Sequence, residues 1–334
     1  MLSKGYGLAQ LEHNVPMDAH NTVFDIASTS KQFTAFAVSL LAQGNRLSWD
    51  DDVRQHIPEL HEFSPPITLR HLAHHTSGIR SNLALLGLAG WTPGDVITTD
   101  HVQSMILRQT GRNFATGDRY EYSNSGYNLL AMVVARVSGQ TFAEFARTRI
   151  FEPLGMDSSF FTEGHQEVVP GLADSYGGSV GSYYKQVGTD GYSGDTGLHT
   201  TARDLAKWAA NFEQPTVGPA ALIREMDTPG KLNDGSSIDY AFGQLVETYR
   251  GLKHIQHTGA SAGYRTYLGR FPEQRLSIVL LGNTSALDAR GRGLRVADIV
   301  LADAIKASTP KPPKRPSLQV TPRDEWLGHF WNEV

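Results

Sequence analysis

Four apolar, strand-like runs late in the chain place the tightest constraint on its fold. Ile238 to Thr248, Leu252 to His257, Gly263 to Phe271 and Arg275 to Gly282 follow one another across short turns, the third being Pro272-Glu273-Gln274. Turns that short cannot carry a crossover, so consecutive runs must pair antiparallel as a meander. Such a sheet needs helices or a second sheet over its apolar face. One cover is Thr29 to Gln43, where Phe33, Phe36, Ala37, Leu40 and Leu41 recur at helical spacing. Gly44 is expected to stop that helix in a left-handed cap. A second cover is the apolar run Gly293 to Ile305.

Upstream, Lys4 to Glu12 and Val23 to Ile26 read as short strands. From Trp49 to about Phe212 the pattern is helical, with segments at Ile67 to His75, Thr99 to Gln109, Asn124 to Val137, Thr141 to Ile150 and Thr201 to Phe212. Gly171 to Gly197, rich in Gly, Ser and Tyr, reads as a long surface loop system, and long loops in compact domains are often binding edges. The expected architecture is α+β: an antiparallel sheet flanked by helices from residues 1–45 and 213–306, with residues 46–212 inserted as a mostly α-helical domain. The catalytic cleft is expected between the two. Residues 307–317 read as a proline-rich linker and 318–334 as a tail. No repeat of solenoid or propeller length is present.

Composition removes several chemistries. The 334 residues contain no cysteine, which excludes disulfides, thiolate metal sites and thiol nucleophiles. Thirty Lys and Arg against 34 Asp and Glu leave a net charge of −4 with no basic block, so nucleic acid is not an expected partner. Apolar stretches such as Leu83 to Trp91 fall well short of the roughly 18 residues of a membrane span. Met1 to Tyr6 has no leader pattern. As it stands the chain reads as soluble and cytoplasmic, without cofactors, its oligomeric state open.

Three triplets could carry chemistry. In Ser28-Thr29-Ser30-Lys31 the serine and lysine stand three apart at a helix start, so the amine can reach the hydroxyl and the helix N-terminus favours a developing alkoxide. In Tyr122-Ser123-Asn124 the tyrosine can shuttle protons if a cation such as Lys31 lies near it, while the ordinary reading has Asn124 capping the next helix. His257-Thr258-Gly259 ends a strand where substrate backbone can approach. Taken singly, each has an ordinary structural reading.

Their order changes this. Ser-x-x-Lys, then Tyr-x-Asn about a hundred residues on, then His/Lys-Thr-Gly resembles the serine β-lactamase and penicillin-binding superfamily. Within it the chain is most similar to class C β-lactamase-like hydrolases of the CubicO type, which include D-alanyl-D-alanine carboxypeptidases, D-amino-acid peptidases and family VIII esterases. Phe24 to Ser28, Lys31 to Ala35, Leu69 to Ile79, Pro153 to Met156 and Thr200 to Leu205 extend the resemblance over roughly residues 3 to 306. It implies the β-lactamase/transpeptidase-like fold and a small-molecule or peptide substrate. It also implies Ser28 as nucleophile, desolvated Lys31 as its base and Tyr122 as proton carrier to the leaving group and from the deacylating water. Asn124, His257, Thr258 and Gly259 would bind substrate, His257 polarising the Tyr122 side. The backbone amides of Ser28 and Ala260 would form the oxyanion hole. Members are often periplasmic or secreted.

His257 stands where most penicillinases have Lys, and no Glu-x-x-x-Asn occurs, so the implied activity is on esters, amides or peptides with weak or no β-lactam turnover. A penicillin-binding, acylable protein without turnover is the alternative. The family's N-terminal helix and first strand are missing, which is expected to leave a gap or a rearranged edge in the sheet, and Thr321 to Val334 is similar to the start of a lipocalin-like domain. Rival sites are weaker. Ser182-Tyr183-Tyr184-Lys185 has no helix behind it, and neither Ser179 nor Ser261, each in a Gly-x-Ser-x-Gly, has the strand-and-helix context of a hydrolase elbow. His71, His74 and His75 have no carboxylate in metal-ligand order and read as a structural corner.

Overall fold

The computed structural model describes residues 2–92 and 94–305. Its chain begins with the short hairpin β1 (Leu8–Gln10) and β2 (Val15–Pro16), then β3 (Phe24–Asp25), a 3-10 turn (Ala27–Ser30) and α1 (Lys31–Gln43). The helical stretch follows with α2 (Leu69–Ala73), α3 (Asn82–Leu88), β4 (Ile97–Thr98), α4 (Thr99–Leu107), α5 (Asn124–Ser138), α6 (Phe142–Ala146) and α7 (Glu152–Leu154). Short strands β5 (Phe160–Phe161), β6 (Tyr176–Ser179), β7 (Ser182–Lys185), β8 (Asp190–Gly191) and β9 (Leu198–Thr200) lead to α8 (Ala202–Asn211) and α9 (Ala220–Met226). The meander β10 (Leu245–Tyr249), β11 (Leu252–Ser261), β12 (Tyr264–Phe271) and β13 (Leu276–Gly282) precedes the closing α10 (Ala289–Val300).

The meander is antiparallel in the order β10-β11-β12-β13. Alternation on β12 serves two layers. Tyr267 and Phe271 pack with Ile278 against Ala289 and Ala297 of α10, while Leu268 enters the main core with Phe33, Trp208 and Met226. The sheet has no gap within it; among the described residues β10 and β13 are its two edges. The first run departs from expectation, pairing regularly only from Leu245. Gly243, with φ 76°, is the cause: the chain there passes α1 so closely that a Cβ would lie 2.6 Å from the Gln32 nitrogen.

Helix α1 is buried on nearly every side. Phe33 stacks on Trp208 at 4.1 Å and meets Phe151 at 5.7 Å. Gly44 is not its left-handed cap, having φ −78°. Asn45 takes that role with φ 54°, because the Arg46 amide reaches back to the Leu41 carbonyl at 3.0 Å in a Schellman closure. Gly171 to Gly197 also departs from the expected loop system. Tyr176–Ser179 and Ser182–Lys185 form a hairpin around Val180-Gly181, and β8 pairs in parallel with β4. Glycine hid the alternation: Gly177 leaves room for the Tyr184 ring, which a Cβ would meet at 2.3 Å. The linker and tail expected over 307–334 lie outside the described residues. No described helix is long and apolar enough to cross a membrane.

Removing the Phe33 ring from the centre of this core should destabilise the protein by about 3–5 kcal/mol. Denaturant titration of Phe33→Ala measures this; a loss below about 1 kcal/mol would show that the α1 face is not packed as described.

Candidate active site

Strand β3 ends at Asp25, and the chain then turns through Ala27, whose positive φ of 49° is held by its amide donating to Asp25 Oδ1 at 2.8 Å. The 3-10 turn that follows carries Ser28 and runs directly into α1, with Lys31 as its first residue. Three-residue spacing puts both side chains on one face, and Lys31 Nζ lies 3.1 Å from Ser28 Oγ. Lys31 is fully buried. A buried amine is costly without partners, and here it donates to the Asp195 carbonyl at 2.8 Å and stands 3.9 Å from Asp195 Oδ2. It also lies 4.9 Å from the Tyr122 ring centre and 5.7 Å from that of Tyr127, within cation-π range.

Asp195 was not visible as a site residue in the sequence. Its signal is the surrounding Gly194 and Gly197, both with positive φ. A Cβ at Gly194 would sit 2.9 Å from the Tyr127 carbonyl, so only glycine lets this strand pass α5 and reach Lys31. The Leu198 amide then donates to Ser30 Oγ at 3.2 Å and the Ile26 amide to the Leu198 carbonyl at 3.0 Å, tying the loop to the serine turn. Burial pushes the Asp195 carboxyl up, and the nearby Lys31 charge works against that rise.

Tyr122 and Asn124 open α5. Ser123, not Asn124, occupies the cap position, and its amide donates to His75 Nδ1 at 3.1 Å. Asn124 is the first helical residue, so its side chain is free of the capping role expected for it; Oδ1 is buried without a partner. The Tyr122 ring lies 4.3 Å from that of His75 and 6.3 Å from that of His257. His75, a positive-φ residue (58°), is also flanked by the rings of Tyr120, Tyr127 and Tyr240. Since Nδ1 accepts from Ser123, its proton sits on Nε2, which is buried and unpartnered. Burial, then the Lys31 charge, holds His75 well below the usual imidazole range. The other two histidines of that stretch part from it: His71 closes a capping box with Thr68, and His74 packs on Phe242 at 4.5 Å.

His257 lies on β11 with Nδ1 2.6 Å from the Thr258 carbonyl. A carbonyl can only accept, so Nδ1 carries the proton and Nε2 accepts from the Tyr240 hydroxyl at 3.0 Å. Burial and the Lys31 charge push its pKa down to about 3, so the ring is neutral at pH 7. Gly259 presses against the serine turn, where a Cβ would meet the Ile26 carbonyl at 2.1 Å. Strand β10 stops opposite Gln256, so beyond it β11 pairs only with β12 and its other side borders the serine turn. Ala260 and Ser28 both line the resulting cleft of about 270 Å3, together with Asn124, Asp190, Asp195 and Thr196.

The rival serines stand apart from this arrangement. Ser182 to Lys185 are all exposed on β7, and Lys185 pairs with Asp174 at 2.9 Å. Ser179 is exposed at the end of β6. Ser261 lines the cleft but leads into a turn and β12 rather than a helix.

The fold and this constellation define a protein of the β-lactamase/transpeptidase-like class. The Beta-lactamase family profile matches residues 1–301, and the chain belongs to that family. It is similar to a penicillin-binding protein of Bacillus subtilis, 27% identical over 296 residues covering 83% of this chain and 64% of the relative. A D-aminopeptidase of Gluconobacter oxydans is 29% identical over 286 residues, 85% of this chain and 53% of the relative. The chain thus spans between about half and two-thirds of the length of these relatives. Among solved structures, the octameric penicillin-binding protein homologue from Pyrococcus abyssi has a TM-score of 0.77 at 28% identity, over 90% of this chain and 70% of that one. The D-amino acid amidase from Ochrobactrum anthropi SV3 complexed with D-phenylalanine shares the fold, with a TM-score of 0.73 at 22% identity over 90% and 89%.

The buried histidines make stability pH-dependent with a definite sign. His74 and His257 have pKa values near 3 in the folded chain against an ordinary 6.5. Between those values the unfolded chain binds protons that the native one refuses, so stability is full above about 6.5 and is lost as pH falls toward 3. Each such histidine should remove up to about 1.4 kcal/mol per pH unit in that window. Because the raised carboxyls of Asp190 and Asp195 act in the opposite sense over the same range, the test is made residue by residue: the imidazole NMR signals of His74 and His257 should stay in the neutral form from pH 7 to pH 4, and titration of either near 6.5 would contradict the buried neutral state.

Proposed function

We propose that the chain is a serine hydrolase that acylates Ser28 and releases the acyl group to water, acting on esters or on amides and peptides, D-amino-acid derivatives among them, with little or no β-lactam turnover. The observation that carries this reading is the 3.1 Å approach of a wholly buried Lys31 amine to Ser28 Oγ at the start of a helix. Lys31 enters the step as the free amine, takes the serine proton on its lone pair as Oγ attacks the substrate carbonyl, and the ammonium so formed sits beside Asp195 and over the Tyr122 ring. The helix N-terminus stabilises the alkoxide, and the backbone amides of Ser28 and Ala260 receive the oxyanion, a contribution of about 3 kcal/mol per donor. Tyr122 hands a proton to the leaving group and then draws one from the incoming water. Asn124 Oδ1, which has no partner of its own, accepts from the substrate N–H. Neutral His257, held by Tyr240, keeps that wall of the site uncharged, and Thr258 and Gly259 form the strand along which the substrate lies. The names of the relatives support an acyl-transfer chemistry of this kind and also favour a second reading, a protein that is acylated and stalls.

Ser28→Ala should lower turnover of a chromogenic ester by at least about a thousandfold, while Ser179→Ala and Ser182→Ala keep the parental rate. Full activity in Ser28→Ala would overturn the assignment. A time course separates the two readings, because a hydrolase turns over continuously and a stalled acceptor gives one stoichiometric burst. Mapping a fluorophosphonate adduct by mass spectrometry should place the label on the peptide containing Ser28.

A further inference from the structure

Tyr122 has to carry protons at a fixed place beside Lys31, yet it is 39% exposed and stands on the chain just before α5 begins. The segment that brings it there is fastened to the turn after α2. The Asn113 amide donates to the Gly78 carbonyl at 2.8 Å, the Gly117 amide to the Thr76 carbonyl at 2.8 Å and the Glu121 amide to the His75 carbonyl at 2.9 Å. Gly78, with φ 75°, permits this approach, since a Cβ there would lie 2.2 Å from the Phe114 carbonyl oxygen. The last fastening is the His75 ring, whose Nδ1 accepts from the Ser123 amide at 3.1 Å. The two amides that flank Tyr122 are therefore both held by one residue, one by its main chain and one by its side chain.

This position makes three demands at once. Its φ of 58° lies in the left-handed region, where among residues with a Cβ Asn, Asp and His are enriched. Its side chain has to fill the space between the rings of Tyr122 at 4.3 Å, Tyr240 at 4.5 Å and Tyr127 at 5.2 Å. It also has to accept a hydrogen bond: a second proton on the imidazole would aim Nδ1–H at the Ser123 N–H, and burial beside the Lys31 charge keeps that proton off. Phenylalanine would meet only the second demand, and asparagine the first and third. We infer that His75 is the positioning residue of Tyr122: by holding the amide on either side of it and packing behind its ring, it keeps the tyrosine hydroxyl where it can reach the leaving group. This rests on the acyl-enzyme reading above. His75 is only 1% exposed, so it acts through Tyr122 and does not touch substrate.

The test is the ratio of kcat/KM for ethyl acetate to that for p-nitrophenyl acetate. This parameter closes at acylation, where the departing ethoxide needs a proton and the departing nitrophenoxide does not. His75→Phe should lower the ratio by about ten- to a hundredfold, the loss expected when a catalytic group is displaced by about 1 Å. Tyr122→Phe should lower it at least as far, and adding His75→Phe to Tyr122→Phe should change it no further. His75→Asn keeps the acceptor and the left-handed turn, and its ratio should stay within about threefold of wild type. Both rates are read on one preparation, so the fraction of folded enzyme cancels, and if His75→Phe does not fold, His75→Asn decides. An unchanged ratio in His75→Phe, a further fall in the double variant, or a ratio in His75→Asn as low as that of Tyr122→Phe would overturn the positioning role while leaving the hydrolase in place. Unreduced hydrolysis in Ser28→Ala, or an unchanged ratio in Tyr122→Phe, would overturn the reading on which it rests.

Discussion

The buried amine of Lys31 is the interaction on which the rest of this structure depends. Removing an ammonium from water costs several kcal/mol unless close partners replace the lost hydration. Its partners come from separate parts of the chain: Ser28 from the turn before the helix, Asp195 from a loop 164 residues away, and the Tyr122 and Tyr127 rings from the start of α5. Apart from Ser28, which helical spacing already places beside it, none of these is near Lys31 until the sheet, α1 and α5 have packed. Folding and assembly of the site are therefore one event.

Three glycines make that packing possible. Gly243 lies against the backbone of Lys31 and Gln32, Gly259 against the Ile26 carbonyl, and Gly194 against the Tyr127 carbonyl. At each a side chain would collide with main chain, which cannot move aside as a flexible side chain can. Gly243 and Gly259 thus press backbone against the serine turn and the start of α1, and Gly194 lets the loop that carries Asp195 pass α5. The same close packing explains the electrostatics. His75 and His257 are held low by burial and then by the Lys31 charge, while Asp190 and Asp195 are raised by burial, with Asp25 close to both.

Much of this was legible along the chain. The meander could be read from its alternating runs and short turns, and α1 from Phe33, Phe36, Ala37 and Leu41, because both signals are local. The Ser28–Lys31 pair was legible for the same reason: helical spacing puts those atoms together wherever the helix sits. Failures occurred where a neighbour decided the outcome. The β6–β7 hairpin was hidden because Gly177 and Gly178 are there to accommodate Tyr184 and the Ser182 carbonyl rather than to form a loop. Asn124 read as a cap because Asn is a good one, but His75 accepts from the Ser123 amide and releases the asparagine to the cleft. Asp195, Tyr240 and Asp190 carried no recognisable motif, and His75 read as part of a structural corner, since each matters only through what lies beside it.

Residue types and their local spacing determined the meander and the central helix, because these depend on periods and offsets written into adjacent positions, and the order of three triplets carried the resemblance to the family. The burial of Lys31 and the proton positions on His75 and His257 had to wait for the packed chain. Desolvation and hydrogen bonding act over a few ångströms of space, and the groups that set them here are separated by tens to hundreds of residues along the sequence.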